Sequence, residues 1–167
     1  MRPLLSLPAL LVAVTLAACG NGAPPAKLNV GDIAPTFQTT RADGMAAHFP
    51  AAWAGKPVVI RFWADWCRYC EGEMKDIEGV YRRLKPRGLE VVAVNAGQDR
   101  KTVAGFMAKL GVSYPALLDE DSAIARRYGV VGLPTTYFVD PGGIVRAKLV
   151  GEADAAAFER AALGVLK

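Results

Sequence analysis

The sequence VVIRFWADWCRYC occupies residues 58–70 and decides the fold of this chain. Its first six residues are nearly all apolar and are rich in β-branched and aromatic side chains, which is typical of a central parallel strand buried on both faces. Apolar side chains then recur at helical spacing over residues 68–85, and Pro86 and Gly88 end the helix that they predict. The two cysteines therefore lie where a buried strand passes into a helix.

The elements on either side of this stretch predict the rest of the fold. Upstream, two short strands flank a turn that contains Asp43 and Gly44, which indicates a hairpin. Downstream, the pattern predicts a strand and a helix, an inserted strand and helix, and a final hairpin and helix. These elements cover residues 37–40, 46–49, 89–95, 103–110, 115–118, 122–128, 135–139, 144–150 and 154–166. Their order predicts an α/β fold in which helices flank a mixed central sheet, with an N-terminal hairpin and a central strand-helix insert.

The composition is that of a single folded domain. The chain has 167 residues, of which 52% are hydrophobic and 22% are charged, and these values exclude disordered, collagen-like and coiled-coil classes. Its 20 basic residues exceed its 16 acidic residues, but they are scattered along the chain and do not gather into a basic stripe. We therefore expect no nucleic-acid partner.

The N-terminus predicts an exported protein. Residues 4–16 form an apolar run that is too short, and too interrupted by Pro8, to cross a bilayer, so residues 1–18 are expected to be a signal peptide. The sequence Leu-Ala-Ala-Cys at residues 16–19 resembles the lipobox of bacterial lipoproteins, in which the cysteine, here Cys19, receives a diacylglycerol. An ordinary cleaved signal with an incidental cysteine is the alternative. Residues 19–29 are then the lipidated cysteine and a flexible tether, and residues 30–167 are the folded domain.

Cys67 and Cys70 are the candidate catalytic residues. At a helix start, free backbone amides and the positive end of the helix dipole favour a thiolate, so we expect Cys67 to be the reactive sulfur. Cys70 lies one turn further along and can resolve a mixed disulfide formed at Cys67. The pair is a two-electron switch that needs no organic or metal cofactor.

The sequence gives less support to three other uses of the two cysteines. Zinc needs further ligands, and only Cys19 and His48 could supply soft or imidazole donors, so no metal site is expected. Haem attachment requires a histidine directly after the second cysteine, where Glu71 stands. A purely structural disulfide stays open, although a bond across so short a loop restrains little of the unfolded chain.

The motif over residues 62–70, together with the sequence GLPTT at residues 132–136, resembles thioredoxin-fold proteins over about residues 30–165. The insert, the hairpin and the lipoprotein signal make the chain most similar to the TlpA/ResA-like thiol-disulfide oxidoreductases. The resemblance implies that Pro134 follows a cis peptide bond and faces the disulfide. It also implies that Leu133 offers backbone hydrogen bonds to a substrate strand. Trp66 is expected beside them, partly exposed, as a third substrate-binding residue.

Four residues are expected to tune the redox chemistry. The family tends to keep a glutamate three residues after the second cysteine, and Glu73 stands there; a solvated carboxylate at the helix start is the alternative. Thioredoxins keep a buried aspartate where this chain has Arg61, which is therefore expected to be salt-bridged or to extend to solvent. Arg68 and Tyr69 lie between the cysteines, and Tyr69 replaces the usual proline.

Together these features predict a lipid-anchored, monomeric thioredoxin-fold enzyme in the bacterial envelope. It would exchange dithiol and disulfide with protein substrates, mainly as a reductant, and a membrane redox partner would recycle it; cytochrome c maturation is one process that the resemblance suggests. Oxidation of envelope proteins is the first alternative. Copper delivery of the Sco type is another, but it uses a longer cysteine spacing and a distant histidine. Peroxiredoxin chemistry wants a threonine where Ala64 stands.

Overall fold

A computed structural model of the chain describes residues 27–166. In this region the strands are β1 (Phe37–Thr40), β2 (Ala46–Phe49), β3 (Val58–Trp63), β4 (Glu90–Ala96), β5 (Ala116–Asp119), β6 (Thr135–Val139) and β7 (Val145–Val150). The helices are α1 (Cys70–Leu84), α2 (Arg100–Leu110), α3 (Ala123–Arg127) and α4 (Ala155–Val165). Each predicted element is present within a few residues of its expected bounds.

The sheet is mixed, as the order of elements predicts. Five strands pair in the order β5-β4-β3-β6-β7, with β3, β4 and β5 parallel to one another and β6 antiparallel to both β3 and β7. The hairpin β1-β2 forms a separate two-stranded sheet. All six residues of the central strand β3 are buried, which confirms the prediction of a strand covered on both faces.

Side chains of β3 alternate between two hydrophobic clusters, one on each face of the sheet. Val59 and Trp63 pack with α1 and α4 in one cluster, and Ile60 and Phe62 pack with α3 and the hairpin in the other. This alternation directs Arg61 to the same face as Val59 and Trp63. The face that buries Arg61 is also the face that carries both cysteines.

Helix α1 begins later than the sequence predicts. Its first residue is Cys70 and its N-cap is Tyr69, whose side chain makes no capping hydrogen bond. The predicted start at residue 68 is therefore wrong by two residues, because no Ser, Thr, Asp or Asn stands there to fix the boundary. Cys67 lies in the turn between β3 and α1, with its amide donating to the carbonyl oxygen of Ala64 at 3.2 Å.

Packing begins slightly before the expected domain boundary at residue 30. Leu28 is buried, and the amide of Gly31 donates to the carbonyl oxygen of Val145 at 2.8 Å, so the segment just before the hairpin covers the start of β7. The expected signal peptide (residues 1–18) and Cys19 lie outside the described residues. Within residues 27–166, no helix combines the length and the apolar composition needed to cross a membrane.

Candidate active site

The two cysteines form a disulfide at the start of α1. Cys67 and Cys70 are bonded to each other, and their Cα atoms are 5.4 Å apart. Cys67 retains 6% of its surface, whereas Cys70 is fully buried as the first residue of the helix. An attacking group from solvent therefore meets Cys67 first, and Cys70 lies behind it.

A bracket of hydrogen bonds between Asp65, Gln98 and Asn95 fixes the loop that leads to Cys67. The side-chain amide of Gln98 donates to Asp65 Oδ1 at 2.5 Å, and its oxygen accepts from the Asp65 backbone amide at 2.9 Å. The same oxygen accepts from Nδ2 of buried Asn95 at 2.9 Å. Because Asn95 is paired in register with Trp63, the bracket joins the ends of two parallel strands. Sequence reasoning missed Gln98 and Asn95, although the meeting of parallel strand ends at one sheet edge was a signal for them.

The loop before β6 lies beside the loop that carries Cys67. The Leu133–Pro134 peptide bond is cis, which confirms the expectation drawn from the resemblance. β6 runs antiparallel to β3 with Phe62 opposite Thr135, so the chain entering β6 is adjacent to the chain leaving β3. Pro134 is buried, and Leu133 is half-buried against both clusters. A second cis bond, before Pro50, was not anticipated.

Large apolar side chains are exposed around this edge of the sheet. Trp66 is 70% exposed and Tyr69 is 45% exposed, so the exposure expected of Trp66 is confirmed. Val131, three residues before Pro134, is 89% exposed and was not predicted. By contrast, Trp63 is fully buried, and its ring centroid lies 4.8 Å from that of Phe106. The exposed side chains offer apolar surface to a partner that approaches the disulfide.

Arg61 and Glu73 form a buried ion pair. Their side chains are 3% and 8% exposed, and Nη2 of Arg61 contacts Oε2 of Glu73. Nη1 of Arg61 donates to Oγ1 of Thr136 at 3.0 Å, and the other oxygen of Glu73 accepts from the backbone amide of Ala153. The salt bridge expected of Arg61 is confirmed, and extension to solvent is wrong, because the residue lies in the middle of a buried strand. A solvated Glu73 is likewise wrong.

Residues just before α1, in the first two turns of α1 and in the β7-α4 loop line an open cleft of about 590 Å³. The lining residues are Arg68, Tyr69, Gly72, Glu73, Asp76, Glu152, Ala153 and Asp154. Arg68 and Tyr69, the two residues between the cysteines, are both exposed, and the Arg68 guanidinium lies 5.9 Å from the centre of the Tyr69 ring. The cleft therefore opens directly beside the cysteine pair.

Glu71 contrasts with Glu73 on the same helical turn. It bonds to Lys109 of α2 at 2.9 Å and to Lys75 at 3.0 Å, and its side chain is 37% exposed. The hydrogen bonds from Lys109 and then Lys75 lower the pKa of Glu71. Exposed ion pairs of this kind contribute little to stability, and the pair with Lys109 joins α1 to α2.

The α2-β5 loop supports α1 from behind. The hydroxyl of Tyr114 donates to the carbonyl oxygen of Met74 at 2.7 Å, and burial raises the pKa of Tyr114, which keeps it a neutral donor. The backbone amide of Ser113 donates to Glu78 at 2.9 Å. Burial alone would raise the pKa of Glu78, but hydrogen bonds from Ser113 and Arg82 lower it. These contacts hold the helix that begins at Cys70.

Comparison with known proteins identifies the family. Residues 30–148 match the model of the AhpC/TSA family. The chain belongs to the AhpC/TSA family. One similar protein is the thiol-disulfide oxidoreductase ResA of Geobacillus thermodenitrificans (strain NG80-2), which is 34% identical over 122 residues. The match covers 73% of this chain and 70% of the relative. ResA of Bacillus subtilis (strain 168) is 38% identical over 97 residues, covering 58% of this chain and 54% of the relative.

A solved structure of similar fold also supports a thiol-disulfide oxidoreductase. A crystal structure described as a thiol:disulfide interchange protein DsbE from Chlorobium tepidum superposes with a TM-score of 0.79 at 29% identity, covering 84% of this chain and 100% of that chain. The predicted thioredoxin fold and the resemblance to ResA-like proteins are thus confirmed. With its bonded Cys67–Cys70 pair, this AhpC/TSA protein is a thiol-disulfide oxidoreductase.

Proposed function

We propose that the chain reduces disulfide bonds of protein substrates in the bacterial envelope, with Cys67 attacking and Cys70 resolving. The observation that carries this proposal is the difference in burial between the two sulfur-bearing residues, since only Cys67 retains exposed surface. The relatives named ResA support exchange chemistry of this class. The reduction potential of the pair tests the reducing direction.

In the reducing direction, the cycle begins with the dithiol form. The Cys67 thiolate attacks one sulfur of the substrate disulfide, which forms a mixed disulfide and releases the other substrate sulfur as a thiol after it takes up a proton. The Cys70 thiolate then attacks Sγ of Cys67, which breaks the mixed disulfide and releases the second substrate thiol. Two electrons pass to the substrate, and the Cys67–Cys70 disulfide remains. A membrane redox partner then returns two electrons to the pair.

Substrate binding is assigned to the exposed rim around the disulfide. Trp66 offers a largely exposed aromatic face next to Cys67, and Leu133 and Pro134 form the neighbouring loop before β6. We assign the backbone of Leu133 to hydrogen bonding with an extended substrate segment. We assign Pro134 to shaping the groove. Arg68 and Tyr69 line the cleft together with residues of the β7-α4 loop, and we assign them to tuning the reactivity of the cysteine pair.

Replacing Pro134 with alanine is expected to slow turnover with a protein disulfide by about tenfold, or about 1.4 kcal/mol of transition-state stabilisation. The reason is its buried position beside the chain that leads to Cys67, where it shapes the surface against which a substrate lies. Turnover with a protein disulfide should be compared with turnover of a small disulfide, and stability should be followed by urea unfolding. Unchanged protein turnover in a folded variant would remove Pro134 from the groove.

The proposed location rests on the N-terminal sequence. The apolar run over residues 4–16 ends in small residues directly before Cys19, and residues 20–26 between this cysteine and the fold carry no apolar periodicity. We propose that Cys19 carries a lipid and that the domain faces the extracytoplasmic side of a membrane. An extracytoplasmic compartment is oxidising, so the pair needs a dedicated electron source to act as a reductant.

Replacing Cys19 with alanine is expected to release the protein from membranes or to block its processing, because the lipid would have no acceptor sulfur. Fractionation of cells that express the variant, with mass measurement of the processed product, tests this expectation. A replacement of Ser6 with alanine inside the apolar run is the control and should leave both properties unchanged. Normal processing together with full membrane partitioning of the Cys19 variant would contradict the anchor.

The direction of the reaction is tested by the reduction potential. A value near that of thioredoxin, about −270 mV, supports the reductant, whereas a value near that of DsbA, about −120 mV, makes the protein an oxidant. Arg61, a cation buried on the same face of the sheet as the cysteines, would favour the oxidant, but its ion pair with Glu73 opposes this effect. Equilibration with glutathione redox buffers, followed by thiol alkylation, gives the value.

Metal delivery of the Sco type has less support. Among residues 27–166, no group of three or more His, Cys, Asp or Glu side chains is arranged as metal ligands. His48 is exposed on β2, where it is paired in register with Gln38. Thiol-disulfide exchange is therefore the chemistry that the arrangement of the cysteines supports best.

A further inference from the structure

Two opposite charges are buried together behind the disulfide. The ion pair joins Arg61 of β3 to Glu73 of α1, and both side chains are more than nine-tenths buried. Glu73 follows Cys70 by three residues on the same helix. Side chains at this spacing are neighbours on one helical face, so the carboxylate lies one turn from the resolving cysteine with the guanidinium held against it.

Contacts from two other elements fix the pair. The Arg61 guanidinium also donates to Thr136, the second residue of β6, and the Glu73 carboxylate also accepts from the backbone amide of Ala153 in the β7-α4 loop. Neither charged group is therefore free to turn toward solvent. Because arginine does not lose its proton in proteins, the positive charge of Arg61 is permanent. Glu73 is the carboxylate that contacts it.

The other charges near the cleft are less effective. Arg68, Asp76, Glu152 and Asp154 all line the cleft together with Glu73, but each of these four side chains is exposed. Water and salt screen interactions between exposed charges, whereas buried charges are screened much less. The balance between Arg61 and Glu73 therefore has the stronger influence on a thiolate at the start of α1.

We propose that Arg61 is a positioning residue that compensates the charge of Glu73, and that this compensation sets the reduction potential of the cysteine pair. An uncompensated carboxylate near Cys70 would disfavour the thiolate, and an uncompensated guanidinium would favour it. A favoured thiolate stabilises the reduced form and makes a pair more oxidising. Because the two charges are in contact, their fields largely cancel at the sulfurs. This inference rests on the exchange chemistry proposed for Cys67 and Cys70.

The test compares reduction potentials in glutathione buffers at pH 8. Glu73→Gln removes the negative charge but keeps the size of the side chain, so the potential should move to the oxidising side by tenfold or more in the equilibrium constant, which is about 30 mV. The matched control, Arg61→Met with Glu73→Gln, removes both charges. Its reduction potential should lie within about 14 mV of the wild-type value, which is about threefold in the equilibrium constant. Arg61→Lys keeps the charge and should also stay within that range.

Two results overturn the proposal. One is a Glu73→Gln potential that stays within the threefold range or moves to the reducing side. The other is a double variant that keeps the full shift of the single variant, since a structural defect would persist in both. If Glu73→Gln does not fold, Arg61→Met carries the test: it should move the potential to the reducing side, and no shift or an oxidising shift contradicts the proposal. The wild-type potential tests the direction of the reaction separately, because the differences between variants do not depend on it.

Discussion

Replacing Cys67 with serine is expected to lower turnover with a protein disulfide by about a thousandfold or more, the scale of losing a covalent nucleophile. Replacing Cys70 with serine should lower turnover as much, but the two variants should differ in what they accumulate. The Cys70 variant keeps the more exposed cysteine, to which we assign the attack, and loses the buried one, to which we assign resolution, so it should hold substrates as stable mixed disulfides. Non-reducing electrophoresis and mass spectrometry measure these adducts.

The matched comparison decides which sulfur attacks. If adducts accumulate on the Cys67 variant and not on the Cys70 variant, the assigned roles are reversed. Replacing Cys19 with serine is the control for cysteine loss elsewhere in the chain, and it should leave turnover of the purified protein unchanged. Substrates captured on the Cys70 variant also identify the proteins with which this enzyme exchanges electrons.

Replacing Glu73 with alanine is expected to lower the free energy of unfolding by about 3–5 kcal/mol, the typical cost of leaving one member of a buried ion pair without its partner. The cause is the Arg61 guanidinium, which stays charged and almost fully buried beside the lost carboxylate. A double variant, Arg61→Met with Glu73→Leu, should recover most of this loss, because apolar side chains can replace a buried pair. Urea unfolding with a two-state fit measures both.

Glu71 provides the control for this prediction. It lies two residues away on the same helical turn and also bonds to basic side chains, but it is exposed. Its replacement with alanine should leave the urea midpoint close to that of the wild type. Equal losses for the Glu71 and Glu73 variants would show that burial of the pair has no special role in stability.

The sequence predicts those features that local pattern controls. The apolar run of β3, the helical spacing along α1 and the turn at Asp43 and Gly44 each predict an element that the structure contains. The cysteine spacing likewise predicts the disulfide. In each case the residues that determine the feature are close together in the chain, so their periodicity and turn chemistry are sufficient.

Contacts between distant residues account for what the sequence did not predict. Thr136 is 75 residues from Arg61, and Ala153 is 80 residues from Glu73. No periodic pattern connects such positions. The sequence therefore left Arg61 either salt-bridged or extended to solvent, and Glu73 either close to the thiols or solvated at the helix start. The bracket between Asp65 and Gln98 was missed for the same reason, since it depends on which strand lies beside β3.

The disulfide closes a loop between residues only three apart, so breaking it frees little of the unfolded chain. The enzyme can therefore be reduced and reoxidised repeatedly without a large entropic loss of stability. A closed thermodynamic cycle then links folding to electron transfer: the unfolding free energies of the oxidised and reduced forms differ by the shift that the fold imposes on the pair's potential, with about 30 mV for each 1.4 kcal/mol. If the native structure favours the disulfide over the dithiol, the oxidised form unfolds at the higher urea concentration. A pair of denaturation curves then measures how strongly the fold drives electrons toward the substrate.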